Sequence, residues 1–452
     1  MSTSISLTLP SWTYPGTTSP SLKNIELQIP AGQRVLLMGP SGSGKSTLLA
    51  ALTGQFRQSY GADQSTVLDY GLHDPVIGMV LQDPEAQVIY SRVGEDIAFG
   101  LENTGVEQGE MWRRVAEAKT VVGMGAVDDD HPTEKLSGGQ KQRMAVAGVI
   151  AMRPDIMIFD EPTANIDPNG VEALVTAIGN AIEHTEATSI IVDHNAENWV
   201  ELVDRIIVMS NGEIVYDMVP AELTTTYRTA VEELGMWLPN SQTEDLGLRP
   251  ILNSEGGEVL RAEKLAWGWE NILGSTDDES YRAGSSYLIR GENGTGKTTK
   301  AMTLAGLIKP LAGRLTPDVS TMKSRELARK VGYVFQDPNH QFLTSTVEKE
   351  LSLGAVVGKQ EITQILEELG LAQYTNRHPA MLSGGEKRRL SVATALVRKP
   401  EVIILDEPTF GLDRANFIAL ARLLQKAQAD GSALISITHD PHYTKIFGGT
   451  DA

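Results

Sequence analysis

Two lysines, Lys45 and Lys297, each sit at the end of a run G-x-x-x-x-G-K-[ST], "GPSGSGKS" from Gly39 and "GENGTGKT" from Gly291. Glycines at Gly39, Gly42 and Gly44, and at Gly291, Gly294 and Gly296, let consecutive backbone N–H groups curl around phosphate oxygens. The helix that follows adds its positive dipole end. Lys45 and Lys297 are expected to bridge the β- and γ-phosphates of a nucleotide, and Ser46 and Thr298 to offer a hydroxyl to Mg²⁺. Ser41, Thr47, Asn293 and Thr299 complete the expected phosphate-contacting set. One such match can be a chance glycine turn. Two in corresponding places are not.

Further acids, amides and histidines recur in step with these loops. Asp160-Glu161 and Asp406-Glu407 each end an apolar run, "IMIFDE" and "VIILDE". The first acid of each pair suits Mg²⁺, and the second suits general-base activation of water. His194 and His439 follow later apolar runs and are candidates for touching the γ-phosphate or orienting the water. The neutral amides of Gln82 and Gln336 are candidates for ligating Mg²⁺ or positioning water. Tyr14 and Trp269 lie upstream of each loop and are candidates for stacking on adenine, in competition with Trp12 and Trp267 and with plain core packing. Last, "LSGGQ" at Ser137, Gly138, Gly139 and Gln140 recurs as "LSGGE" at Ser383, Gly384, Gly385 and Glu386. A Ser-Gly-Gly turn opening a helix is itself a phosphate-binding terminus. Since each half already owns one phosphate loop, each Ser-Gly-Gly is expected to close over the nucleotide held by the other half.

The elements that must position these residues are written twice in the same order. The offset between copies is 252 residues at Lys45 and Lys297, and 245 at His194 and His439. Short buried strands feed each phosphate loop and each acid pair, with helices between them, which predicts an α/β fold with a parallel sheet and a ligand beyond its strand C-termini. A charged helical insert, "MWRRVAEAKTVV" in one half and "EITQILEELGL" in the other, predicts a smaller helical subdomain. The expected boundaries are 1–238 for the first domain, 239–258 for a polar linker and 259–452 for the second domain.

Composition narrows the function class. A formal net charge of −19 argues against a nucleic-acid binder held by phosphate contacts. The chain has no cysteine, which excludes disulfides and thiolate metal sites. The start carries no basic leader followed by an apolar stretch, and no apolar run approaches the ~18 residues of a membrane span. Any membrane role is expected to come from docking on another protein.

Taken together, the two phosphate loops, the glutamine loops, the Ser-Gly-Gly signatures, the "DEPT" runs, Asp167, Asp413 and the two histidines resemble the ATP-binding cassette family over nearly the whole chain. Within it, "LSGGQKQRMAVAGVIAMRPDIMIFDEPTANIDP" and the "QDPxxQ" loops look like the ATPases of energy-coupling factor transporters, prokaryotic importers of vitamins and metal ions. The resemblance implies tandem P-loop NTPase domains, each with a parallel-sheet core, a small antiparallel β subdomain and a helical subdomain. It implies ATP and Mg²⁺ at two sites formed by the halves pairing with each other, both of them hydrolytic. It also implies an integral membrane coupling protein, a separate membrane substrate-binding subunit, a place at the cytoplasmic face of the membrane and no direct contact with solute. Glu95, Asp96, Glu348 and Glu350 are then candidates for meeting basic residues of the coupling protein.

Three departures stand out. Glu386 replaces Gln140, Arg290 interrupts the apolar run before the second loop, and the second half stops soon after His439, so either its sheet is expected to lack closing strands or its C-terminus to have been shortened. Two other readings compete: the fused ATPase of a sugar importer, and a soluble twin-cassette factor on the ribosome. The second is expected to show a long charged linker and basic surface, and neither is written here.

Overall fold

The computed structural model describes residues 3–14, 19–56, 66–71, 74–164, 166, 168–241, 243–248, 250, 256–291, 294–354, 356–409, 411–448 and 450–451. Asn293 and Asp167 lie outside the described residues. The chain divides into two compact units, Met1–Asn240 and Ser241–Ala452.

In the first unit, β1 (Ile5–Trp12), β2 (Leu22–Ile29) and β4 (Val67–Asp69) form an antiparallel sheet ordered β2-β1-β4. The larger sheet takes β3 (Arg34–Met38), β5 (Ile77–Val80), β6 (Ile156–Asp160), β7 (Thr188–Val192), β8 (Arg205–Ser210) and β9 (Glu213–Met218) in the order β5-β6-β7-β3-β8-β9. Every pairing is parallel except β8 with β9. Alternate residues of β3 serve two cores. Val35 and Leu37 join the cluster that includes the antiparallel sheet, while Leu36 and Met38 join the cluster of the helical layer. Period-2 geometry forces that split, and burial on both faces is why these strands are apolar throughout.

The second unit repeats the plan. β10 (Glu258–Gly268) pairs antiparallel with β11 (Ile272–Ser275), β12 (Asp278–Arg282) and β14 (Ala312–Thr316). β13 (Ser286–Leu288), β15 (Val331–Val334), β16 (Val402–Asp406), β17 (Ala433–Ile437) and β18 (Thr450–Asp451) make a parallel sheet ordered β15-β16-β17-β13-β18. Position for position this is the first sheet with β18 in the place of β8. The expected loss of closing strands is corrected by β18, a two-residue strand that stands where β8 stands. Of the polar span between the units, residues Thr243–Leu246 form a short 3-10 turn with Thr243 and Leu246 buried.

Candidate active sites

In both units the central strand, β3 or β13, delivers the phosphate loop at the C-terminal edge of the parallel sheet, and the strand two places away, β6 or β16, delivers the acids there. A Cβ at Gly39 would come within 2.5 Å of the Met209 carbonyl oxygen, and one at Gly44 within 2.8 Å of the Ser21 carbonyl oxygen. Both residues have positive φ, 154° and 103°, so backbone crowding and dihedral preference together require glycine. Each lysine folds back over its own loop: Lys45 Nζ donates to the Gly39 carbonyl at 2.6 Å, and Lys297 Nζ to the Gly291 carbonyl at 2.7 Å. The helices that follow, Lys45–Leu52 and Lys297–Leu304, begin at the loop and turn their N-terminal ends toward it.

The acid pairs sit in a shared electrostatic bind. Burial, with repulsion from Glu161, pushes Asp160 up to about 6 against the pull of Lys45. Burial likewise raises Asp406, opposed by a hydrogen bond from the Thr298 hydroxyl to Asp406 Oδ2 at 2.8 Å. That bond places a hydroxyl and a carboxylate oxygen side by side, the hard-oxygen pairing Mg²⁺ takes from protein when phosphates and water fill its remaining positions. Among the described residues no cluster of three or more acidic, histidine or cysteine side chains could hold a metal ion. Ser46 and Asp160 hold the corresponding sequence positions in the first unit.

Glu161 and Glu407 follow directly, and both adopt left-handed backbone, φ 45° and 48°. Each N–H is tied to the neighbouring strand, Glu161 to the Val192 carbonyl at 2.8 Å and Glu407 to the Ile437 carbonyl at 2.9 Å. Side chains other than glycine rarely sit there, at a cost of about 1–3 kcal/mol, and the turn swings the carboxyl off the strand end. The Glu161 carboxylate accepts the Gln82 amide at 2.8 Å. Glu407 accepts the His439 N–H at 3.4 Å instead, and burial with repulsion from Asp406 pushes it up to about 7.

Several residues that brace these loops are ones the sequence did not single out. The second glutamine of "QDPxxQ" braces the loop: Gln87 Oε1 accepts the Leu81 N–H at 2.7 Å, and Gln341 Oε1 accepts the Phe335 N–H at 3.4 Å. From the signature helix, buried Gln142 donates to the Leu81 carbonyl at 3.0 Å, whereas Arg388 reaches the Phe335 and Gln336 carbonyls at 2.9 and 2.5 Å. Asp193 and Asp440 lie on opposite sides of their histidines in sequence, yet each accepts the hydroxyl of its "DEPT" threonine, Thr163 at 3.1 Å and Thr409 at 2.7 Å. Asp193 Oδ1 lies 3.5 Å from His194 Nδ1. The repeated "DEPT" and histidine text was the available signal for that link.

Each signature serine caps its helix reciprocally. Ser137 Oγ accepts the Gln140 N–H while Gln140 Oε1 accepts the Ser137 N–H at 2.8 Å, and Ser383 and Glu386 repeat the pattern, also at 2.8 Å. Glutamate and glutamine thus do one local job at this position. Tyr14 reaches the hydroxyl of Thr47 at 3.4 Å, and Trp12 is buried, stacked on Phe56 at 4.0 Å. Trp267 is buried too, but Trp269 is 66% exposed on the β10–β11 hairpin, where Leu273 flanks Gly296. Two of the expected docking acids are corrected. Glu350, 4% exposed, accepts the Leu343 and Thr344 N–H groups, and Asp96 accepts those of Ile89 and Tyr90, so both brace their own loops. Glu348 pairs with Lys359, and Glu95 is exposed.

Comparison with known proteins follows the same two segments. The ABC transporter family model matches residues 22–164 and 278–410. A protein of Enterococcus faecalis, provisionally named an ABC transporter ATP-binding protein, is 35% identical over 96% of this chain and 85% of its own length. A Bacillus subtilis protein, provisionally named the HMP/thiamine import ATP-binding protein YkoD, is 31% identical over 95% of this chain and 86% of its own. Among solved structures, an archaeal ribosome recycling factor, aABCE1, in complex with the stalk protein aP1, matches with TM-score 0.62 over 97% of this chain and 86% of that one. At 21% identity that likeness concerns the fold alone.

Proposed function

The chain belongs to the ABC transporter family and is an ATPase of that family, and from that premise we propose that it energises an importer of the energy-coupling factor type, with ATP at two composite sites. The observation that carries the reading is the duplicated constellation: lysine, paired acids, glutamine and histidine at the C-terminal sheet edge of each unit. The signature amides start a separate helix in each unit, so the economical use of four anion-binding termini is two nucleotides, each gripped by the phosphate loop of one half and the Ser-Gly-Gly of the other. The γ-phosphate then supplies the differential binding that favours closure, and hydrolysis releases it.

In this mechanism Lys45 and Lys297 hold the β- and γ-phosphates. Ser46 with Asp160, and Thr298 with Asp406, would hold Mg²⁺, with Gln82 and Gln336 beside them. The ion, when bound, neutralises charge on the phosphate oxygens. Glu161 and Glu407 take a proton from the attacking water, His194 and His439 orient it against the γ-phosphate, and Tyr14 and Trp269 flank the adenine. Among the described residues no helix is long and apolar enough to cross a membrane, and in this reading membrane partners carry the solute. Apolar side chains lie exposed beside the glutamine loops, Ile89 at 56% and Leu343 at 80%, and they fit the apolar face of a partner's helix. The name of the B. subtilis relative supports import of a vitamin-class solute.

Expressing the chain with candidate membrane partners and fractionating the lysate tests this reading. Co-purification with an integral membrane protein that stimulates ATP turnover is the expected result. Sedimentation with ribosomes and not with membranes would sink it.

A further inference from the structure

The segment leaving the first unit is stitched to the loop that carries His194. Trp237 donates its N–H to the His194 carbonyl at 3.1 Å, and its own carbonyl accepts the Ala196 N–H at 3.0 Å, a parallel bridge between Asn195 and Trp237. Met236 and Leu238, on either side, are buried in the core of the helical layer, and Arg228 holds the Pro239 carbonyl at 3.1 Å. The loop is thereby pinned from outside the sheet. From inside, Asp193 accepts the Trp199 indole N–H at 2.8 Å.

Six residues further along the chain, buried Thr243 does comparable work in the second unit. Its hydroxyl meets His442 Nδ1 at 2.9 Å. His442 stands in the first turn of helix Pro441–Phe447, three residues after His439, and its N–H is held by Asp440, the residue that also accepts the Thr409 hydroxyl. The His439 N–H in turn touches Glu407. Leu246 and Leu248 are buried and anchor the segment beyond Thr243.

We propose that Trp237 and Thr243 are positioning residues that join the two histidine loops through the short stretch of chain between them. Six residues span at most about 20 Å when extended, which limits how far one anchor can move without the other. Each anchor acts through backbone or helix-turn contacts on a loop bearing a γ-phosphate-sensing histidine, which makes the role one of timing between sites. The idea rests on the ATPase reading for its consequence and on these contacts for its physics.

Hydrogen exchange on the full chain tests it. Thr243→Val removes the contact with His442, and Thr243→Ser keeps it. The expected result is that Thr243→Val speeds exchange at the Ala196 and Trp237 amides by about threefold or more, Thr243→Ser does not, and kcat falls with KM for ATP unchanged. Inserting about eight Gly/Ser residues between Asn240 and Ser241 touches neither anchor and should abolish that long-range response. It should also lower kcat by itself. No change at Ala196 in Thr243→Val, or a response that survives the insertion, overturns the proposal. If Thr243→Val fails to fold, the insertion decides alone, and an unaltered kcat overturns the proposal. Absence of ATP turnover in the parent chain would strike the ATPase reading instead, and the exchange result would still stand.

Discussion

Glu161 and Glu407 occupy the same turn after the same strand, but different parts of the molecule hold them. In the first unit the carboxylate is gripped by Gln82, from the loop beside exposed Ile89 and Tyr90. In the second it is met by the backbone of His439, and burial pushes it up to about 7. The first acid therefore answers to the glutamine loop and the second to the histidine loop. Near-identical motif text does not make the halves interchangeable, because the hydrogen-bond partner that sets an acid's position and proton affinity lies far away in sequence.

The sharpest way to break that comparison is to remove the acids. Glu161→Gln with Glu407→Gln together should lower steady-state ATP turnover by about 10²–10⁴. Each single variant should retain part of it, and a Glu407→Gln chain as fast as the parent would show that the second site does not hydrolyse.

Next in size is pH. In the Glu161→Gln chain the surviving turnover should climb as pH rises through about 7, where Glu407 loses its proton and becomes a base. The Glu407→Gln chain should lack that limb. The same burial raises Glu407 above its ordinary 4.5, so between the two values the folded state holds a proton that the unfolded state has released. Stability at this residue is accordingly greater below that window and declines as pH rises through it. A Glu407→Gln chain whose melting temperature tracked the parent's across pH 5–8 would contradict the assignment.

The tethers come third. Arg388→Ala removes two charge-assisted hydrogen bonds to part-buried carbonyls and should destabilise the second unit by about 3 kcal/mol, against about 1–2 kcal/mol for Gln142→Ala in the first, measured by denaturant unfolding. Equal losses would mean that the two tethers are equivalent after all.

The smallest effect belongs to the signatures. Exchanging Gln140→Glu and Glu386→Gln preserves both capping boxes and should move stability by no more than about 1 kcal/mol, the scale of a charge at a helix N-terminus. A larger shift would show that Glu386 does more than cap.

Much of this was legible in the amino-acid order. Phosphate loops, acid pairs, buried strands and the doubling follow from local spacing, since a G-K-[ST] turn and an all-apolar strand are specified by neighbours. What was not legible is contact across long separations. Nothing near Gln142 or Arg388 says that these positions hold carbonyls 61 and 53 residues away. Asp193 and Asp440 look like unrelated acids until the fold brings each to its threonine. Glu350 resembles any exposed helix acid in sequence, and only the loop wrapped around it reveals a brace.

The left-handed turn at Glu161 and Glu407 carries an evolutionary consequence. A glycine or asparagine at either position would relax the dihedral and yield a hardier protein that has lost its base. Any lineage or laboratory screen selecting for heat tolerance without demanding turnover should drift to those substitutions first, leaving a well-folded, nucleotide-binding relic. Such a relic would report, through its sequence alone, that the work of that half had ceased to matter.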